Sequence, residues 1–387
     1  MIRIDALFLF IFLCINSNLS AQHLIKSEDV TRWKYQTKGP VYATPLVHEE
    51  VIYIGSLDSI FYALDADRGF VLWSIHLPGP VFSNATVHNN LVYVESNNVL
   101  FALNLNGELQ WKARLAEPDN PSQLDPWDFH HPSPVVYNAT IYVAGKEGLI
   151  TGFDVSSGEI VFRVQTPEKI RFSTTPVIHE GIIYAGDWEG EMHAFDLENK
   201  KNSWTYDTKA DGIFPWKNTI HGIPVIHRES IIFSGRNSRL YAVDKNTGKK
   251  IWMAASPTNQ WMLGGPVIDG EKVFTGSSDQ HLYQAFDCNT GTLLWKTSLD
   301  CRIWTSPVFT GDNLIVASRS IYVLNKHSGE ILKQITFPQF NKDRKFGEYN
   351  DRIANFHSSP VHHGNSIIIG GDDGVVYCLD GAKLLNL

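Results

Sequence analysis

Apolar and polar residues alternate in short stretches along most of the chain, and turns of Gly, Asp and Asn separate the stretches. The first full set runs through Trp33 to Thr37, Ala43 to Val47, Val51 to Gly55, Ile60 to Asp65 and Gly69 to Trp73. Its β-branched and aromatic residues at a period of two predict a four-stranded antiparallel meander. The closing aromatic returns at Trp111, Phe162, Trp204, Trp252 and Trp295, with Lys333 once in its place. Pro45, Ala85, Pro134, Pro176, Pro224, Pro266, Pro307 and Pro360 open successive copies. Asp65…Gly69, Asp154…Gly158, Asp244…Gly248 and Asp287…Gly291 repeat one turn, with Asn104…Gly107 and Asn325…Gly329 as variants.

A repeat of about forty residues marks a propeller. One such sheet cannot bury both of its faces, whereas eight around an axis form a closed core and leave few open edges. The expected fold is therefore all-β, an eight-bladed β-propeller of four-stranded antiparallel blades. The last copy ends at Val375 to Asp380 without a closing Trp, while Trp33 precedes the first copy. The Trp33–Thr37 strand is thus expected to complete the last blade and close the ring.

The repeated phrase resembles the PQQ-type propeller repeat, most clearly from Asn246-Thr247-Gly248 to Trp252 and from Asn289-Thr290-Gly291 to Trp295. The resemblance spans nearly all of the chain after its leader and is specific for fold. Quinone dehydrogenases, an outer-membrane assembly scaffold and other enzymes share the repeat, so it does not choose among functions.

At the start, Arg3 is followed by an apolar run from Ala6 to Ile15 and then by Leu19-Ser20-Ala21. A run this short does not span a bilayer, and the small residue before Gln22 suits cleavage. Residues 1–21 read as a signal peptide, residues 22–387 as one propeller domain, and the product as periplasmic or secreted without membrane insertion. A net charge of −8 with no basic run argues against a nucleic-acid partner. Cys288 and Cys301 flank one extended strand and lie beyond disulfide reach, so these two and Cys378 read as free, buried thiols.

Long insertions at 115–133, 207–223 and 337–359 all enter innermost strands and so share one rim. Loops longer than their connection needs tend to carry function. Counting back three residues from each strand-opening position gives Tyr42, Phe82, His131, Ser173, His221, Leu263, Trp304 and His357. Histidine therefore recurs at three equivalent slots. The turn on the same rim adds Lys146, Asp187, Trp188, Glu189, Arg236, Arg319 and Asp372. The loops add Arg171, Trp261 and Arg302, and also Trp127, Asp128, His130, Trp216, Lys217 and Arg352. Each alone reads as an ordinary loop residue; together they suit a sugar ring bearing carboxylate or sulfate.

Several chemistries compete for this inventory. Quinone-dependent dehydrogenases carry an adjacent Cys-Cys pair that this chain lacks, which disfavours PQQ as cofactor. Three neutral imidazoles suit a divalent metal only if their nitrogens meet within about 2.0–2.2 Å of one point. Glycoside hydrolysis needs a carboxylate pair, whereas the slots hold imidazoles and aromatics. Elimination next to a uronate carboxylate needs a base, an acid and a cation, and histidine with arginine supplies them. On this reading His221 and His357 form the acid–base pair, and His131 assists. Arg171, Arg236 and Arg319 hold the carboxylate or a sulfate, and Tyr42, Trp188 and Trp304 stack on rings. The chain is in this respect similar to uronate-processing propellers, including dehydratases of ulvan oligosaccharides, which implies an acidic-oligosaccharide lyase with no cofactor. The alternative is a non-enzymatic periplasmic scaffold with an outer-membrane assembly partner.

Overall fold

The computed structural model describes residues 24–118, 131–211, 218–257, 261–278, 280–338 and 355–385. It forms eight sheets around an axis. Blades 1–7 occupy 46–76, 86–114, 135–165, 177–207, 220–255, 267–298 and 308–336, and blade 8 occupies 361–380. Within each blade the strands follow chain order from the axis outward, with antiparallel pairing. The second and third strands are buried nearly throughout, whereas the outermost strands alternate half-buried and exposed residues. The core therefore lies between blades, as one apolar cluster per interface.

The ring closes as the repeat pattern predicts. Thr31–Gln36 is the outermost strand of blade 8, with Trp33 opposite Cys378 and Gln36 opposite Val375. A second closure was not legible: Leu24–Lys26 runs parallel to the outer strand of blade 7, making that sheet five-stranded. Parallel addition breaks the meander's rule, so the repeat carries no trace of it. The thiols of Cys288, Cys301 and Cys378 are buried and not disulfide-bonded, and burial pushes Cys288 up to about 12.

The recurring Trp and Gly form one interlocking device. Each closing indole lies over the turn glycine of the next blade and donates its N–H to a carbonyl there. The bonds are Trp33 to Ala66 (3.1 Å), Trp73 to Leu105 (2.8 Å), Trp111 to Val155 (3.0 Å) and Trp204 to Lys245 (3.0 Å). Trp252 to Cys288 (2.8 Å) and Trp295 to Lys326 (3.2 Å) complete the set. The glycine is required twice over, since Gly248 has φ +69° and a Cβ there would lie 2.7 Å from the Trp204 ring. Where Phe162 replaces the indole, the facing turn has no glycine, and Lys200 takes the left-handed position. The Lys333 side chain, in the last slot, is buried, and its desolvation lowers the amine's pKa.

Candidate functional site

A belt of hydrogen bonds crosses from blade to blade where the chain enters each innermost strand. It is built from the residue just before each strand-opening position. The amide of Thr44 donates to Asn84 Oδ1 (2.7 Å), Asn84 to Ser133 Oγ (2.9 Å) and Ser133 to Thr175 Oγ1 (2.9 Å). On the other side Ser306 donates to Ser359 Oγ (2.9 Å) and Ser359 to Thr44 Oγ1 (3.2 Å). Blades 5 and 6 carry Ile223 and Gly265 at this slot and supply no side-chain oxygen. The belt is written in the sequence as a row of Ser, Thr and Asn before the strand-opening residues, none of them ionisable.

Above the belt the funnel narrows to a cavity of about 80 Å³, the volume of two or three waters. Six of the eight equivalent slots line it: Tyr42, Phe82, His131, Ser173, Trp304 and His357. Their rings form a continuous arc over blades 7, 8, 1, 2 and 3. Successive centroids lie 5.3 Å (Trp304–His357), 4.4 Å (His357–Tyr42), 6.3 Å (Tyr42–Phe82) and 4.5 Å (Phe82–His131) apart. The opposite wall, over blades 4 to 6, is Ser173, Gly222, Ile223 and Gly265. There the backbones nearly touch, since a Cβ on Gly222 would lie 2.3 Å from Gly265 Cα.

His357 is fixed from behind. Its Nδ1 lies 2.9 Å from Asp372 Oδ1 and 3.0 Å from Oδ2, and both side chains are buried. A carboxylate only accepts, so Nδ1 carries the proton.

His221 takes another role. Its backbone pairs with Ser234 in the blade 5 ladder, and its Nε2 accepts the Nε–H of Arg236 at 2.8 Å. Arginine is always a donor, so Nε2 holds no proton and the ring is a neutral imidazole. His221 does not line the cavity, although Gly222 after it does. Arg236 is 5% exposed and lies between two indoles, 4.9 Å from Trp188 and 5.2 Å from Trp261. This cation is held by aromatic faces and an imidazole.

The structure thus divides the predicted site residues. Tyr42, His131, Trp304 and His357 share one cavity, whereas Trp188, Arg236 and His221 form a second, packed cluster. Arg171 adjoins that cluster through its carbonyl, which accepts the Trp188 amide at 3.0 Å. Arg319 lies apart, with Nη2 4.0 Å from Cys301 Sγ. None of the three arginines lines the cavity. Trp127, Asp128, His130, Trp216, Lys217 and Arg352 lie outside the described residues, as does the 1–21 leader.

Among the described residues, two sets of three side chains bring ligand atoms within 4.8 Å of one another, and neither contains His131, His221 or His357. One joins the exposed Glu50 and Asp67 to the half-buried His363. The other is Asp187, Glu191 and His193, where His193 Nε2 lies 3.0 Å from Asp187 Oδ2. Burial, and then the Asp187 charge, raise the Glu191 carboxyl pKa. His193 went unnoticed because it occupies a strand slot that is Tyr62, Tyr241, Tyr322 or Tyr377 in other blades. That substitution was its signal.

Among the described residues no carboxylate lines the cavity to hold the cation that accompanies a quinone of the dehydrogenase kind.

Comparison with known proteins places the geometry. The lupanine 17-hydroxylase (cytochrome c) of a Pseudomonas species is 32% identical over 31% of this chain but only 19% of its own length. The outer membrane protein assembly factor BamB of Yersinia pestis is 24% identical over 70% of this chain and 67% of its own. Its counterpart in Moranella endobia is 25% identical over 57% and 55%. Among solved structures, BamB from Moraxella catarrhalis superposes with a TM-score of 0.69 at 17% identity, covering 90% of this chain and 99% of that one. A quinohemoprotein alcohol dehydrogenase from Comamonas testosteroni gives 0.69 at 13% identity, with 91% and 76% covered. These likenesses show a shared fold. The family model described as outer membrane protein assembly factor BamB matches residues 24–206 and 207–383, so the chain belongs to that family of PQQ-like propellers.

Proposed function

We propose that this chain acts as a non-enzymatic propeller scaffold, exported across the inner membrane and engaged with outer-membrane assembly. The observation that carries this reading is the extent of the family match, which takes in both halves of the ring. The site geometry agrees with it. Of the predicted acid–base pair, His221 is committed to Arg236 and lies off the cavity, so only His357 of that pair lines the funnel, with His131 as the other imidazole of the wall. No helix among the described residues is long and apolar enough to cross a membrane. Deleting the gene in its host should lower the levels of outer-membrane β-barrel proteins, and the intact chain should restore them. Unchanged levels would refute the reading.

Elimination from the uronate end of an acidic oligosaccharide is the second reading, favoured by one feature. His357, oriented by Asp372 and packed between the tilted rings of Tyr42 and Trp304, has the arrangement of a general base at a ring-binding surface. Incubation with ulvan-type and other uronate oligosaccharides should then produce the ultraviolet absorbance of a 4,5-unsaturated uronate. No absorbance change across acidic glycans removes this reading.

A further inference from the structure

The belt is interrupted on one side only. In five links a backbone N–H points at the side-chain oxygen of the next blade. The series Thr175, Ile223, Gly265 has no such oxygen to receive it. Ile223 and Gly265 offer none, and the Ser306 hydroxyl turns to the Gly265 carbonyl at 3.5 Å. Among the described residues the amides of Thr175 and Gly265 have no hydrogen-bond partner. Ile223 between them has no partner residue in the register of its strand. All three residues line the funnel cavity, and none of the described residues lining it is a carboxylate. The His221 imidazole, clamped by Arg236, stands behind this wall.

Converging backbone amides without acceptors, on a wall whose described residues carry no negative charge, form an anion-binding concavity. The other blades show which atom belongs there, since each fills the position with an oxygen. We propose that the gap over blades 4 to 6 binds the carboxylate of a small cyclic acid. Its oxygens take the places that Ser, Thr and Asn oxygens hold elsewhere in the belt, and its ring lies against the arc of Trp304, His357 and Tyr42. A cavity of about 80 Å³ admits the carboxylate and one or two waters and leaves the ring in the mouth. Gly265 suits this use, since the Cβ it lacks would lie 3.2 Å from Ile223 N and cover that amide. Recognition here is by backbone, which leaves no arginine or histidine in the sequence to mark it. It requires neither reading given above, because binding without turnover is sufficient.

The test uses the full mature chain, labelled with ¹⁵N, and titrations of D-glucuronate, D-glucose, acetate and sulfate followed at the Thr175 and Gly265 amides. Glucuronate should move both resonances downfield and saturably, and glucose should leave them in place. Ile223→Thr puts a hydroxyl where the rest of the belt has one and should weaken glucuronate at least tenfold without lowering the melting temperature. Ile223→Asp, a second variant, fills the same gap with a fixed carboxylate and should abolish binding. Absence of saturable shifts with every acid, or unchanged affinity in both variants, overturns the site. Acetate and sulfate binding as tightly as glucuronate would overturn the cyclic-acid assignment.

Discussion

Trp33→Ala tests whether this ring is held shut where the structure places its seam. Trp33 belongs to the N-terminal strand that completes blade 8, yet its indole donates to Ala66 of blade 1 at 3.1 Å and covers Gly69. Removing it deletes a hydrogen bond worth about 1 kcal/mol. It also forfeits roughly half of the 3–5 kcal/mol that a fully buried Trp→Ala change costs, because the ring is only half-buried. The sum is about 3 kcal/mol, or about 150-fold in an opening constant. Trp204→Ala is the control, since that indole donates to Lys245 at 3.0 Å and covers Gly248, between blades the chain joins covalently. Both variants should lose similar stability in urea. They should differ in hydrogen exchange: in Trp33→Ala, 31–36 and the amides of 375–379 that face it should exchange about 150-fold faster, and in Trp204→Ala they should not. If exchange there rises equally in the two variants, or not at all, the seam does not lie at the N-terminal strand.

Four further outcomes follow from the same geometry. Gly248→Ala should cost about 2 kcal/mol or more by chemical denaturation, because a left-handed φ and contact with Trp204 both oppose a Cβ. Burial raises the Asp373 carboxyl pKa, so its contribution to stability is present below the ordinary value of 3.8 and is lost as pH rises through the folded-state value. Asp373→Asn keeps the Tyr377 contact in the manner of Asn237 with Tyr241, so the variant's melting temperature should gain on the wild type from pH 4 to pH 7; a constant difference would contradict this. Arg236→Ala leaves His221 Nε2 buried without its donor and uncovers two indoles, at a cost of about 2–4 kcal/mol measured in urea. Asp372→Asn should cost about 1–2 kcal/mol and shift the His357 tautomer balance seen in imidazole ¹⁵N spectra.

The sequence by itself determined the architecture. Blade number, strand order and the closing strand follow from repeated local patterns, because each blade is one meander whose buried faces recur with the same spacing. It also determined equivalence: counting back from the prolines put six residues around one cavity, since equal offsets become neighbours in a ring. Orientation was decided only by the tertiary structure. His221 and His357 hold equivalent slots, yet one ring is drawn to Arg236 and the other to Asp372, because each imidazole turns to whichever charged group the adjacent turn supplies. The parallel strand Leu24–Lys26 depends on a pairing over three hundred residues away that no repeat encodes. The gap in the belt was written in Ile223 and Gly265, but it became a feature only when the neighbouring blades showed what those residues fail to supply.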